Sequence, residues 1–257
     1  MSNSPVIAQS ADDIPSRSNR PPLDGRKFYI GMALVAFAIS FAGFGPGIIH
    51  SDGRQAPMNF TVALHGMVFT GWLVIFLIQA LLVSTGNARI HRQLGVIATG
   101  LAVVMIVTGY FTATAMARRG FDLSGDLQAE KDPLGLLVFQ LGDLLSFGIL
   151  VGFGVAYRRR PEIHKRLMLL ATVGSLMGAP LAHVIGQIPA LQSMGPIILV
   201  PLVLLYSSHA IYDRFTRGRI HPVSLWVPIG LFVWANLRAG VIGPSAWWRE
   251  VADWLVQ

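Results

Sequence analysis

The chain has 257 residues, 53% of them hydrophobic and 13% charged, with a net charge of +7, no cysteine and a mean hydropathy of +0.56. Soluble domains carry roughly 25% charged residues, so this deficit, with apolar runs near 20 residues, indicates an integral membrane protein whose first partner is the lipid bilayer. The lack of cysteine excludes disulfides and thiolate metal centres, and the positive charges lie between apolar runs with no nucleic-acid-binding motif around them.

Residues 1–25 are polar and rich in Ser, Pro and Asp. They are expected to form a disordered cytoplasmic tail, because they hold no apolar stretch of a signal peptide. Seven apolar runs follow, at about 28–49, 61–84, 92–117, 134–157, 166–187, 196–212 and 223–243. They predict an all-α polytopic bundle of about seven transmembrane helices occupying 26–243. Residues 244–257, with Trp247, Trp248 and Trp254 beside Arg249 and Glu250, predict a periplasmic amphipathic helix at the outer interface.

Basic residues orient the bundle. With the N-terminus inside, fourteen of the 20 Lys and Arg lie in inner segments, and only Arg54, Arg118, Arg119, Lys131 and Arg249 lie outside. Arg238 falls within the last run. The expected arrangement is N-terminus cytoplasmic and C-terminus periplasmic.

One short segment occurs twice. Ile90, His91, Arg92, Leu94, Ala98 and Thr99 match Ile163, His164, Lys165, Leu167, Ala171 and Thr172. A weaker third copy begins at Arg219, Ile220 and His221. Each copy opens an in-to-out span, so the chain reads as parallel helical-hairpin repeats and not as the inverted repeats common in secondary transporters. In the fifth span, Gly174, Gly178, Ala182 and Gly186 are predicted to form one small-residue stripe for close helix packing. Gly148, Gly152 and Ala156 do the same on the fourth span. Pro180 is expected to bend the fifth span.

Polar residues inside a bilayer are costly, which makes each a candidate for function. His65 and His183 match in depth near the outer side. His209 lies near the inner end, level with His91 and His164. Asp143 sits near the bilayer centre with Gln140 one turn above, and Gln79 lies in the inner third of the second span. Two neutral imidazoles at one depth suit haem b, by His65 with His183, or by His209 with His91 or His164. The alternatives are that these histidines are interhelical contacts or headgroup neighbours, His221 among them, or that they serve a non-haem metal or a proton relay. Asp143 needs either a proton or a partner at that depth. No pair of broken helices at the midplane is foreseen, which disfavours small-molecule transport. Catalytic motifs of hydrolases or di-iron enzymes are absent.

The segments HGMVFTGWLVIFLIQ (65–79), IHRQLG (90–95), RRRPEIHKRLMLLAT (158–172) and YDRFTRGRIHP (212–222) resemble a family of uncharacterised bacterial multi-helix inner-membrane proteins. The likeness spans about 28–250 and implies a bacterial inner-membrane location without implying an activity. The helix start His164, Lys165, Leu167, Met168 also resembles that of small membrane proteins of haem-copper oxidase assembly. The expected functions are therefore a haem-linked electron-transfer or oxidase-assembly protein, with a membrane redox partner, or a non-enzymatic scaffold or subunit that forms a homo-oligomer. No helix pairs two His 13–14 residues apart, which separates the chain from the cytochrome b561 pattern.

Overall fold

The computed structural model describes residues 25–50, 58–122, 125, 127, 131–192 and 199–257. The expected tail of residues 1–25 lies outside them apart from Gly25, as does much of the loop between the third and fourth spans. Every regular element among the described residues is helical. They are α1 (Gly25–Ile49), α2 (Phe60–Ser84), α3 (Ala88–Arg119), α4 (Pro133–Ala156), α5 (Pro161–Leu169), α6 (Gly178–Gly186), α7 (Pro189–Gln192), α8 (Leu199–Arg217), α9 (Pro222–Leu237) and α10 (Ala246–Val256). Among the described residues, six helical stretches are long and apolar enough to cross a membrane: Lys27–Ile49, Phe60–Ser84, Ala88–Arg119, Pro133–Ala156, Pro161–Gly186 and Pro222–Ile242. The residue contacts described below run α8 antiparallel to α5 beside them, where the sequence places the sixth of seven crossings.

Local chemistry sets the helix ends. Asn59 caps α2, its Oδ1 accepting from Val62 N at 2.9 Å, and Asp132 caps α4 from Gly135 N at 3.0 Å. Pro133, Pro161 and Pro222 open α4, α5 and α9, where a missing N–H costs nothing. Gly86, at φ 79°, makes the turn between α2 and α3.

Large apolar side chains such as Phe41, Met67, Val96, Phe111, Leu204 and Phe215 face outward. An apolar exterior of this extent is the surface of a bilayer protein. The interior is built on Trp72, Met105, Phe147, Leu169, Leu170 and Val173. Trp72 Nε1 also donates to Thr172 Oγ1 at 3.1 Å. The Pro161–Gly186 stretch is the most enclosed of the six, with 61% of its apolar window buried. The fifth span is thus the axis of the bundle.

That axis is interrupted. α5 passes into a π-turn at Leu170–Gly174, and residues 175–177 separate it from α6. The break precedes Pro180, which sits in the first turn of α6, where its missing donor is tolerated. The expected single stripe is consequently split. Gly174 receives Leu231 of α9, and Gly178 lies against Asp143 of α4. The backbone at Pro180 instead receives Gly43 of α1 so closely that a Cβ there would strike main-chain atoms. A second π-turn, Arg238–Ile242, ends the seventh span. Arg238 of this turn and Gly178 of α6 both reach Asp143.

α10 lies across the far end of the bundle, away from the start of α5. Trp248 and Ala252 are buried there, and Trp248 Nε1 donates to Leu134 O at 2.9 Å. Arg249 grips Asp132 through both nitrogens at 2.9 and 3.0 Å. Trp247 and Trp254 stay exposed.

Candidate functional site

Successive helical residues point about 100° apart, and three at the start of α5 use this to reach three neighbours. His164 turns toward α3 and α4. Its Nδ1 is 2.8 Å from Gly154 O, and its ring lies 6.3 Å from that of His91 with the planes at 85°. Lys165 bonds Glu162 at 2.7 Å and lies 5.9 Å above the Tyr29 ring of α1. Arg166 turns toward α8 and α9.

Arg166 and Asp213 have no exposure and form an ion pair. Arg166 Nε donates to Ser224 Oγ at 2.9 Å, and Nη1 to Glu162 O and Oε2 at 2.7 and 2.8 Å. Ser224 Oγ donates to Asp213 Oδ2 at 2.6 Å, and His221 N donates to the same oxygen at 3.1 Å. A buried ion pair recovers its desolvation cost only when such additional bonds satisfy it. This network fastens the start of α5 to the end of α8 and the start of α9.

His91 and His164, equivalent in the repeat, are therefore brought together. Gln79 Nε2 donates to His91 O at 3.1 Å and fixes the start of α3 on α2. His91 Nδ1 is buried without a hydrogen-bond partner among the described residues. His221 does not join the pair. It caps α9, its Nδ1 accepting from Val223 N at 3.1 Å, and burial first and the Arg166 charge second hold its pKa below the usual histidine value.

His209 also takes another course. It has no exposure, and its ring is surrounded by Phe28, Tyr29 and Tyr212, not by His91 or His164. Among the described residues, neither of its nitrogens has a hydrogen-bond partner, nor does the Tyr29 hydroxyl. At the far end, His65 packs on Phe69 with centroids 4.1 Å apart. His183 packs on Phe44 of α1 at 4.8 Å, with Nδ1 4.0 Å from Asp122. Each of the two depth-matched rings thus rests on its own neighbour.

Asp143 has the partner that its depth required. Arg238 Nη1 donates to its Oδ1 at 2.7 Å and to Phe139 O at 2.7 Å. The guanidinium lies 5.4 Å from the Trp234 ring, and Gly142 leaves room for its side chain. Gln140 stands apart, its Nε2 3.5 Å from Met116 Sδ. Arg238, Asp213, Ser224 and Tyr29 were not among the candidate site residues of the sequence. The lone basic residue in the last span and the lone acid in the fourth were the available signal for pairing Arg238 with Asp143.

No protein-family model, curated protein or solved structure matches the chain. The chemistry of the residues has to carry the functional argument. Among the described residues no group of three or more His, Asp or Glu is placed to hold a metal ion. The end of the bundle where α3 and α5 begin offers two imidazoles at the boundary of an apolar bundle, with a salt-bridged lock beside them.

Proposed function

We propose that the protein is a bacterial inner-membrane protein, N-terminus cytoplasmic, that binds a haem-type macrocycle through His91 and His164 and serves electron transfer or oxidase assembly. The observation that carries this reading is the approach of the two repeat-equivalent rings, 6.3 Å apart and nearly perpendicular. Imidazoles this close would both reach a single metal centre if one were held between them. The bond from His164 Nδ1 to Gly154 O fixes one nitrogen as donor and leaves Nε2 for a ligand. A bare structural metal asks for about four protein ligands, whereas haem iron asks for one or two. Arg89 and Arg92, exposed at the same end, suit propionate groups.

The test is the visible spectrum of protein purified from haem-replete cells. A Soret band is expected, lost in His91→Ala and in His164→Ala and kept in His65→Ala. A colourless protein overturns the reading. A scaffold role is the second reading. It is favoured by a lipid-facing groove of about 210 Å³ between α3 and α4, lined by Ala102, Gly148 and Gly152, which fits a helix of another copy. A colourless protein that crosslinks to itself through Gly152→Cys would support it.

A further inference from the structure

On α8, Tyr206, His209 and Asp213 recur at intervals of three and four residues and share one helix face. They are buried, with 7%, 0% and 0% exposure, while Leu204, Ile211 and Phe215 face outward. Asp213 has a structural reason to be there in Arg166. His209 has none: both ring nitrogens and the neighbouring Tyr29 hydroxyl lack partners among the described residues. Leaving a buried polar group unsatisfied costs about 1–3 kcal/mol, and ionisable residues within a membrane mark ion and proton paths.

The lane continues beyond α8. Tyr206 lies within electrostatic reach of Asp143 and Arg238. That pair sits between the two π-turns: Gly174, in the first, touches Tyr206 and Leu231, and Arg238 opens the second. π-turns recur at functional sites. Arg238 in turn lines a cleft of about 240 Å³ at the far end, together with Asp132 and Arg249. At the basic end, Arg166 connects Asp213 to half-exposed Glu162. The order Asp213, His209, Tyr206, Asp143, Arg238 and cleft runs from one end of the bundle to the other.

We propose that this lane conducts protons across the membrane. His209 takes a proton on one ring nitrogen and releases one from the other, so its own charge is restored at each passage. The Tyr206 hydroxyl passes a proton in the same way, and the Asp143 carboxylate accepts and releases one against Arg238. Water links these groups, bound first at the His209 nitrogens and the Tyr29 hydroxyl. The charged or titratable groups nearest His209 are Arg166, Asp213, Lys165, His221, Tyr29 and Tyr212.

The experiment uses the full chain in vesicles containing a pH-sensitive dye, with a potassium diffusion potential set by valinomycin. Proton entry at least tenfold faster than in protein-free vesicles is expected. His209→Phe and Asp143→Asn should bring it to background, and Tyr206→Phe, which removes only a hydroxyl, should slow it severalfold. Trp226→Phe, on the lipid face, should leave it unchanged. Wild-type flux equal to that of empty vesicles overturns the proposal. So does full flux in a His209→Phe protein that elutes as wild type; if that variant misfolds, Tyr206→Phe decides. The Soret band, read on the same samples, separates the two ideas: flux without the band sinks only the haem reading, and the band without flux sinks only the lane.

Discussion

Arg166 and Asp213, 47 positions apart in sequence, neutralise each other where neither touches solvent. Removing one partner strands the other, at a cost of about 3–5 kcal/mol. Asp213→Ala should therefore lower stability severely in detergent unfolding. The double variant Arg166→Met with Asp213→Leu should recover most of the loss. A double variant as unstable as the single would mean that the pair is not what holds these helices.

The contact of Gly43 with the Pro180 backbone predicts a steric result. A methyl at position 43 meets main-chain atoms that cannot rotate away. Gly43→Ala should cost about 1–3 kcal/mol, and Gly45→Ala, two residues on, should cost far less. Thermal unfolding of the two variants, measured side by side, checks the difference.

His221 acts as a helix cap. His221→Ala should destabilise by about 1 kcal/mol and His221→Asn should restore it, since Asn is a good N-cap. Neither should change the spectrum assigned to His91 and His164. A Soret band altered in His221→Asn would place His221 at the haem site instead.

Acid should loosen α10. Asp132 titrates below its ordinary range, chiefly because Arg249 bonds to it. A carboxylate with a depressed folded-state pKa adds stability above its unfolded pKa, and that stability is lost as pH falls through the folded value. Protease cleavage between α9 and α10 should therefore rise below about pH 4. Arg249→Gln should raise cleavage at neutral pH and flatten its dependence on acid, because Arg249 is the main cause of the depressed pKa. The effect should be small and should shrink in salt, because the pair is exposed.

Reporter fusions test the orientation. A fusion at Gly218 should report cytoplasm, and one at Gln257 periplasm. The reverse pattern would overturn the reading from basic residues.

The spans were legible because lipid imposes length and apolarity on each, and most boundaries fall within a few residues of the apolar runs. The repeat put His91 and His164 at equivalent helix starts and so allowed them to meet, but the sequence paired each with His209 instead. Depth, however, is one coordinate of two. The sequence matches His65 and His183 by depth, but rotation about each helix axis, which depth does not report, turns them to Phe69 and Phe44. The small-residue stripe failed for a related reason. A π-turn carries one extra residue, which rotates everything after it by about 100°. Arg166 with Asp213 and Arg238 with Asp143 join spans far apart in sequence, so no local pattern announces either pair.

The distance along the chain between Arg166 and Asp213 also sets a schedule for the ribosome. Forty-seven residues separate them, about 2 to 10 s of synthesis at ordinary rates. During that interval the central helix has emerged with Glu162 but without Asp213 to balance Arg166. A guanidinium paired only with half-exposed Glu162 would stay at the headgroups and keep α5 shallow. Arrival of α8 would then draw it to full depth. The last steps of insertion thus depend on a charge that is translated late, and shortening the segment between them would change when the bundle closes.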